Sequence, residues 1–226
     1  MDSFLNLPKK DEDDGIPYLS YSQISTWKRS KREYIRQYFF GEKFEGNEYT
    51  EFGSLIGEAL ESNDFSGFSP RERTFLKKIP RYDEFERKVN LPMKGFKVIG
   101  YIDSSSEAKD YGTGEGIHVR RILDYKTGDY IKKISEYEDK KYTQLHLYAA
   151  AMRHEYGVLP DSAKVILIDR KGNAFQGEEL KLGRDFSTID KTLTDEVVDA
   201  VLADTQKVAE EISRYFTLFQ EFKKAI

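Results

Sequence analysis

The spacing of apolar positions changes period several times along the chain, and each change marks an element. In "SYSQISTWKRSKREYIRQYFFG", Ile24, Trp27, Tyr34 and Tyr38 approximate a helical stripe, with Ser22 as the expected N-cap and Gly41 as the stop. "EFGSLIGEALES" predicts a short amphipathic helix, with Leu55, Ala59 and Leu60 apolar and Glu58 and Glu61 acidic, and "SPRERTFLKKIPRYDEF" a basic helical segment broken at Pro80. The period then drops to two: "EFERKVNLPMKGFKVIGYIDSSSE" reads as strand, "PMKG" turn, strand. "EAKDYGTGEG" predicts a glycine-containing hairpin connection into "IHVRRILDYKTGD", where Ile122, Asp124 and Lys126 share one face and Leu123 and Tyr125 the other. A helix over "EYEDKKYTQLHLYAAAMRHEYG" and two strands, "AKVILIDRKG" and "FQGEELKLG", follow. The last helix runs from about Asp190, with Val197, Val201, Val208, Ile212, Tyr215, Phe219 and Phe222 along one stripe. This alternation predicts the α/β class: a central mixed β-sheet flanked by α-helices, in one domain over residues 18–226. Residues 1–17, with "KKDEDDG", predict a flexible acidic arm.

Composition narrows the chemistry. The 226 residues are 38% hydrophobic and 14% aromatic, enough for the core of one domain. No run approaches the roughly 20 apolar residues of a membrane span, and the start is polar, so no membrane association and no secretory signal are expected; the expected location is cytoplasmic. Cysteine is absent, which excludes disulfides, thiol nucleophiles, thiolate zinc sites and cysteine-held iron–sulfur clusters. With only His118, His146 and His154 as imidazoles, a metal site must rest mainly on carboxylates, which suit Mg²⁺ or Mn²⁺. His146 and His154 stand eight residues apart on one helix, too far for one metal, and His118 receives no role. The net charge is −4, so a uniformly basic nucleic-acid-binding surface is not indicated; a local basic groove beside an acidic site is compatible with it.

The charges inside "RRILDYKTG" call for an explanation, because an unpaired buried carboxylate or ammonium is costly. Taken alone, an Asp-x-Lys strand pairs with itself. Its neighbour changes the balance: "VIGYID" ends the preceding strand with Asp103, and a hairpin can bring Asp103 and Asp124 to one end of the sheet. Two converging acids repel unless a cation holds them, and a lysine beside them meets a phosphate well. Asp103, Asp124 and Lys126 therefore describe a divalent-metal phosphodiesterase site.

From Ser20 to about Ala151 the chain resembles the PD-(D/E)XK nuclease superfamily, in its RecB-type branch of phage and CRISPR-associated exonucleases. "SYSQISTWKRSKREYIRQYFFG" is similar to the family's opening S-x-S-x-I-x-x-[WY] helix, "FGSLIGEALE" to its G-x-x-x-H-x-x-x-E helix, "GYID" and "ILDYKTG" to the metal-site strands, and "QLHLYAAA" to the closing Q-L-x-x-Y-A helix. The resemblance implies a restriction-endonuclease-like core and a DNA exonuclease of processing, recombination or repair, with products carrying a 5′-phosphate and a 3′-hydroxyl. It implies that Asp103, Asp124 and the Tyr125 carbonyl bind Mg²⁺ or Mn²⁺, and that Lys126 orients water and counters charge at the scissile phosphate. Gln144 and Tyr148 would support the lysine or touch DNA. With a nuclease site nearby, Lys28, Arg29, Lys31, Arg32 and Arg36 become a candidate phosphate-tracking face, otherwise a solvated one.

Two departures matter. Gly57 stands where the family often has a metal-binding histidine, leaving Glu61, or else Glu58, to substitute. Ser30 occupies the place of a cluster cysteine, so no iron–sulfur cluster is expected. Gly57 also keeps a different reading open: a catalytically silent nuclease scaffold that binds DNA or a protein. The long last helix could serve a protein partner or self-association, or pack across its own domain.

Overall fold

The computed structural model describes residues 4–43, 45–110 and 117–225. The predicted connection around "YGTGEG" lies outside the described residues. One sheet contains β1 (Tyr18–Leu19), β2 (Glu84–Met93), β3 (Phe96–Asp110), β4 (Ile117–Gly128), β5 (Ser162–Lys171) and β6 (Lys181–Asp190), in the order β1-β3-β4-β5-β6, with β2 also on β3. β4 and β5 run parallel, β1 is parallel to β3, and the other pairs are antiparallel, so the sheet is mixed. The helices are α1 (Tyr21–Arg29), α2 (Lys31–Tyr34), α3 (Glu48–Ser62), α4 (Pro70–Leu76), α5 (Gln144–Tyr156) and α6 (Asp195–Ala225).

Alternation along β4 sorts its side chains between two cores. Ile122 joins Ile102, Val165, Trp27, Tyr34, Leu145 and Ile212 in the core formed with α1, α5 and α6. Leu123 joins Ile166, Ile168, Ile56, Leu60 and Leu76 in the core formed with α3 and α4. Helices thus cover both faces.

The edges of β3 position the site. Lys97 and Val98 pair with β2 on one edge and with β1 on the other; Ser104 and Ser105 likewise pair with β2 and β4. β1 and β4 therefore share one edge of β3, and between them residues 99–103 have no strand partner on that edge among the described residues. Asp103 stands at the lip of this gap.

Several expectations need correction. α5 begins at Gln144 and not at Glu136, the strand expected over residues 175–183 lies instead at Lys181–Asp190 after a turn at Ala174–Gln176, and the last helix begins at Asp195 rather than near Asp190. The first helix is not continuous: Ser30 is extended (φ −157°, ψ 99°), ends α1 and caps α2 through the Glu33 N–H, and Ile35–Phe39 continues as a π-turn. The cap of α1 is Ser20, which accepts from Gln23 N, rather than Ser22. The acidic segment is not a free arm over residues 4–17. Leu7 is buried in the α1 core, Asn6 donates to Ser213 Oγ and Gln220 Oε1 on α6, and Asp11 and Asp14 pair with the buried Lys97. A charged run can bury nothing alone, but a lysine inside β3 needs counter-charges and these acids supply them.

α6 packs across its own chain. Val198, Val208, Ala209 and Ile212 are buried, Tyr215 meets Trp27 edge-on at 5.4 Å, and Phe216 and Phe219 lie 4.9 and 5.4 Å from Phe39. Val198, not Val197, faces the core. Among the described residues no helix is long and apolar enough to cross a membrane.

Candidate active site

The β3–β4 ladder runs inward from Asp110 opposite Ile117 to Ser104 opposite Leu123. The next pair in register would be Asp103 opposite Asp124, and there the ladder stops. Asp103 Oδ2 instead accepts the Tyr125 N–H at 2.7 Å, so a side chain takes the place of a strand carbonyl. Asp124 is fully buried on the α5 face, where its Oδ1 accepts from Lys126 Nζ at 2.8 Å and its Oδ2 lies 2.9 Å from the Tyr142 hydroxyl. Lys126 Nζ also reaches the Tyr125 carbonyl at 3.3 Å and keeps 30% of its side chain exposed.

The electrostatics follow from this crowding. Burial, then the Asp124 charge, push the Asp103 carboxyl up to about 7, against the pull of Lys126 and the Tyr125 N–H. Burial alone would lower the Lys126 ammonium, but Asp124 and Asp103 outweigh it and hold the group well above its ordinary value. Lys126 is therefore a fixed cation.

Behind Asp124 runs a hydrogen-bonded chain. The Tyr142 hydroxyl also lies 2.6 Å from Gln144 Oε1, and Gln144 Nε2 donates to Tyr148 Oη at 2.7 Å. Tyr148 is buried in the α5 core, so its link to the site is indirect, through Gln144 and Tyr142. Its ring occupies the space over Gly100: a Cβ there would stand 2.4 Å from Tyr148 Cε1, closer than carbon atoms approach without displacement. Sequence reasoning missed Tyr142, whose only signal is an aromatic residue two positions before Gln144 in "KKYTQ".

The remaining candidates are dispersed. Glu58 and Glu61 are both exposed on α3. Gly57 lines a groove with Tyr125 and Lys126, and a Cβ there would meet nothing within 4 Å. Among the described residues no three acidic or imidazole side chains gather around a point that would hold a metal. One acid not singled out from the sequence is close: Glu86 occupies the β2 position opposite Asp103, between the pairs Phe85–Ser104 and Arg87–Ile102. It adopts φ +48°, a conformation disfavoured for side-chain-bearing residues, and its charge adds to those raising Asp103. Burial and the Glu61 charge in turn push Glu86 upward, so Glu61 acts on the pair at one remove.

The basic residues of α1 and α2 are largely neutralised. Lys28 pairs with Asp204 and Lys31 with Glu211 on α6, Arg29 with Glu33 at 3.0 Å, and Arg36 with Glu42 at 2.6 Å; Arg32 is exposed. Only Arg29 of the five lines the groove that contains Lys126. His146 is fully buried and His154 exposed, each away from the acidic pair.

The donor set fits a hard cation. Two carboxylates and a carbonyl converge, and the Lys126 ammonium already sits as a positive group on two of those oxygens, Asp124 Oδ1 and Tyr125 O.

The sheet thus opens between two strands, with an acid from each and a lysine two residues beyond the second. The sequence profile of the PD-(D/E)XK nuclease superfamily matches residues 67–224. The chain belongs to that superfamily. Its fold is similar to a structure from Eubacterium rectale described as a "Putative exonuclease", at 15% identity and TM-score 0.50, covering 90% of this chain and 81% of that one. An alkaline exonuclease from Laribacter hongkongensis aligns at 12% identity and TM-score 0.46, covering 92% of each chain. No curated protein matches.

Proposed function

We propose that this chain is a divalent-metal-dependent deoxyribonuclease, working as an exonuclease in DNA processing, recombination or repair. The observation that carries this reading is the Lys126 ammonium resting on Asp124 Oδ1 and Tyr125 O beside Asp103. Superfamily membership and the exonuclease description of the Eubacterium rectale structure support it.

Asp103, Asp124 and the Tyr125 carbonyl would hold Mg²⁺ or Mn²⁺. Bound there, the ion supplies Lewis-acid polarisation of the phosphate and a water of lowered pKa. Tyr142 engages Asp124 Oδ2 and so leaves Oδ1 directed toward Lys126. Lys126, held 2.8 Å from Asp124 Oδ1, serves as electrostatic counterpart to the charge that grows on the phosphate. Gln144 and Tyr148 are positioning residues, acting through Tyr142.

Gly57 and the absence of a third converging acid or imidazole among the described residues favour a second reading, a silent scaffold that binds DNA without cutting it. End-labelled single- and double-stranded DNA incubated with Mg²⁺, Mn²⁺ or EDTA separates the two. Cleavage is expected with either metal, absent in EDTA, and reduced at least roughly a hundredfold in Asp124→Asn. Binding without cleavage in any metal would establish the scaffold reading, and metal-dependent cleavage that survives Asp124→Asn would remove the site.

A further inference from the structure

Besides Lys126, the groove is lined by two more cations: Arg29, which pairs with Glu33 on the same groove, and Arg170, which has no carboxylate partner among the described residues. Arg170, near the end of β5, lines the same groove as Tyr125, Lys126 and Gly57. Its guanidinium lies 4.2 Å from the centroid of the Tyr49 ring, and its Nε is buried with no hydrogen-bond partner. Among the described residues no carboxylate forms an ion pair with it, and burial disfavours its charged form. Burial of a guanidinium without an anion is unfavourable, and a ring face offsets only part of that cost.

Hydrogen bonds hold Tyr49, and an exposed ring stands beside it. Tyr49 Oη donates to Asn173 Oδ1 and accepts from Ala174 N, both at 3.0 Å, tying α3 to the β5–β6 connection. Asn173 Oδ1 also accepts from Phe175 N, and the Phe175 ring stands 5.2 Å from Tyr49 while remaining 85% exposed, the most exposed large apolar side chain among the described residues. An exposed aromatic face beside Tyr49, which lines the groove together with the Arg170 guanidinium, matches the two faces of a nucleotide, base and phosphate.

We propose that Arg170, Tyr49 and Phe175 form a subsite for single-stranded DNA, in which Arg170 takes a backbone phosphate next to the one at Lys126 and Phe175 stacks on an unpaired base. The single strand is favoured because only an unstacked or terminal base offers its face to a side chain. The subsite rests on the nuclease reading for its place beside the scissile phosphate.

The test is fluorescence anisotropy of a labelled oligothymidylate and of a blunt duplex, in EDTA, across a salt series, with Arg170→Met, Arg170→Lys and Phe175→Ala. Arg170→Met should weaken oligothymidylate binding about tenfold and reduce the salt dependence by about one ion, with Arg170→Lys intermediate. Phe175→Ala, at an exposed position that does not carry the fold, should weaken oligothymidylate by roughly tenfold and leave the duplex unchanged. Parent-like affinity in both Arg170→Met and Phe175→Ala, or equal losses on duplex and single strand, would overturn the subsite. A parent that binds oligothymidylate through Arg170 but never cleaves would overturn the nuclease reading and leave the subsite standing.

Discussion

The basic face of α1 and α2 and the wall of the groove make an instructive pair. The first carries five cations within nine residues; the second has one arginine. Yet Lys28, Arg29, Lys31 and Arg36 all have carboxylate partners, and Lys31 also lies over the rings of Trp27 and Tyr215. Arg170 has none among the described residues, and Lys126 pairs with Asp124 in a region where Asp103 adds a second acid. The number of positive residues in a segment therefore says little about phosphate binding; what matters is where each stands and what already neutralises it.

The comparison breaks if the wrong set of lysines controls the reaction. The largest expected effect is Lys126→Met: single-turnover cleavage should fall by about 10²–10³-fold, the range for losing one preorganised stabiliser of transition-state charge. A smaller fall than that caused by removing α1 lysines would reverse the assignment.

A second effect concerns the acidic side of the site. The Asp103 carboxyl titrates at about 7 in the folded chain against 3.8 for the free group. Between those values the folded chain keeps a proton that the unfolded chain has lost, so stability falls as pH rises through roughly 4–7 and the loss is complete above 7. Thermal melts in EDTA from pH 5 to pH 8 should show this decline. Asp103→Asn should flatten it, and Mg²⁺ added at pH 8 should raise the melting temperature, since the ion binds only the folded chain. A melting temperature independent of pH in the parent would contradict the crowding of Asp103 against Asp124.

The smallest effect sharpens the contrast. Removing Lys28 and Lys31 together by alanine should leave oligonucleotide affinity within about twofold, because exposed pairs contribute only about 0–1 kcal/mol each and these charges are spent on α6. Calorimetric titration of oligothymidylate would measure it; a tenfold loss would restore α1 as a strand-binding face.

Much of the site could be read in the chain. The period of two in "VIGYID" and "ILDYKTG" places Asp124 and Lys126 on one face, and the ladder register then sets Asp103 opposite Asp124. Glu86 was equally readable: the two-residue turn at Lys94–Gly95 pairs Met93 with Phe96, and counting back from that pair sets Glu86 opposite Asp103. Tyr142 was not, since nothing local distinguishes a hydroxyl that will reach a buried aspartate eighteen residues away.

The sequence by itself determined the α/β class with its mixed sheet and the strand that carries the acid and the lysine, though not the bounds of every element, because periodicity depends only on backbone geometry and the nearest few residues. Only the tertiary structure decided which charges are satisfied. Lys28 finds Asp204, Lys31 finds Glu211 and Lys97 finds Asp11, each far along the chain, while Arg170 meets the Tyr49 ring and, among the described residues, no carboxylate. Counter-charges act through space over a few ångströms, and which residues come that close is set by packing.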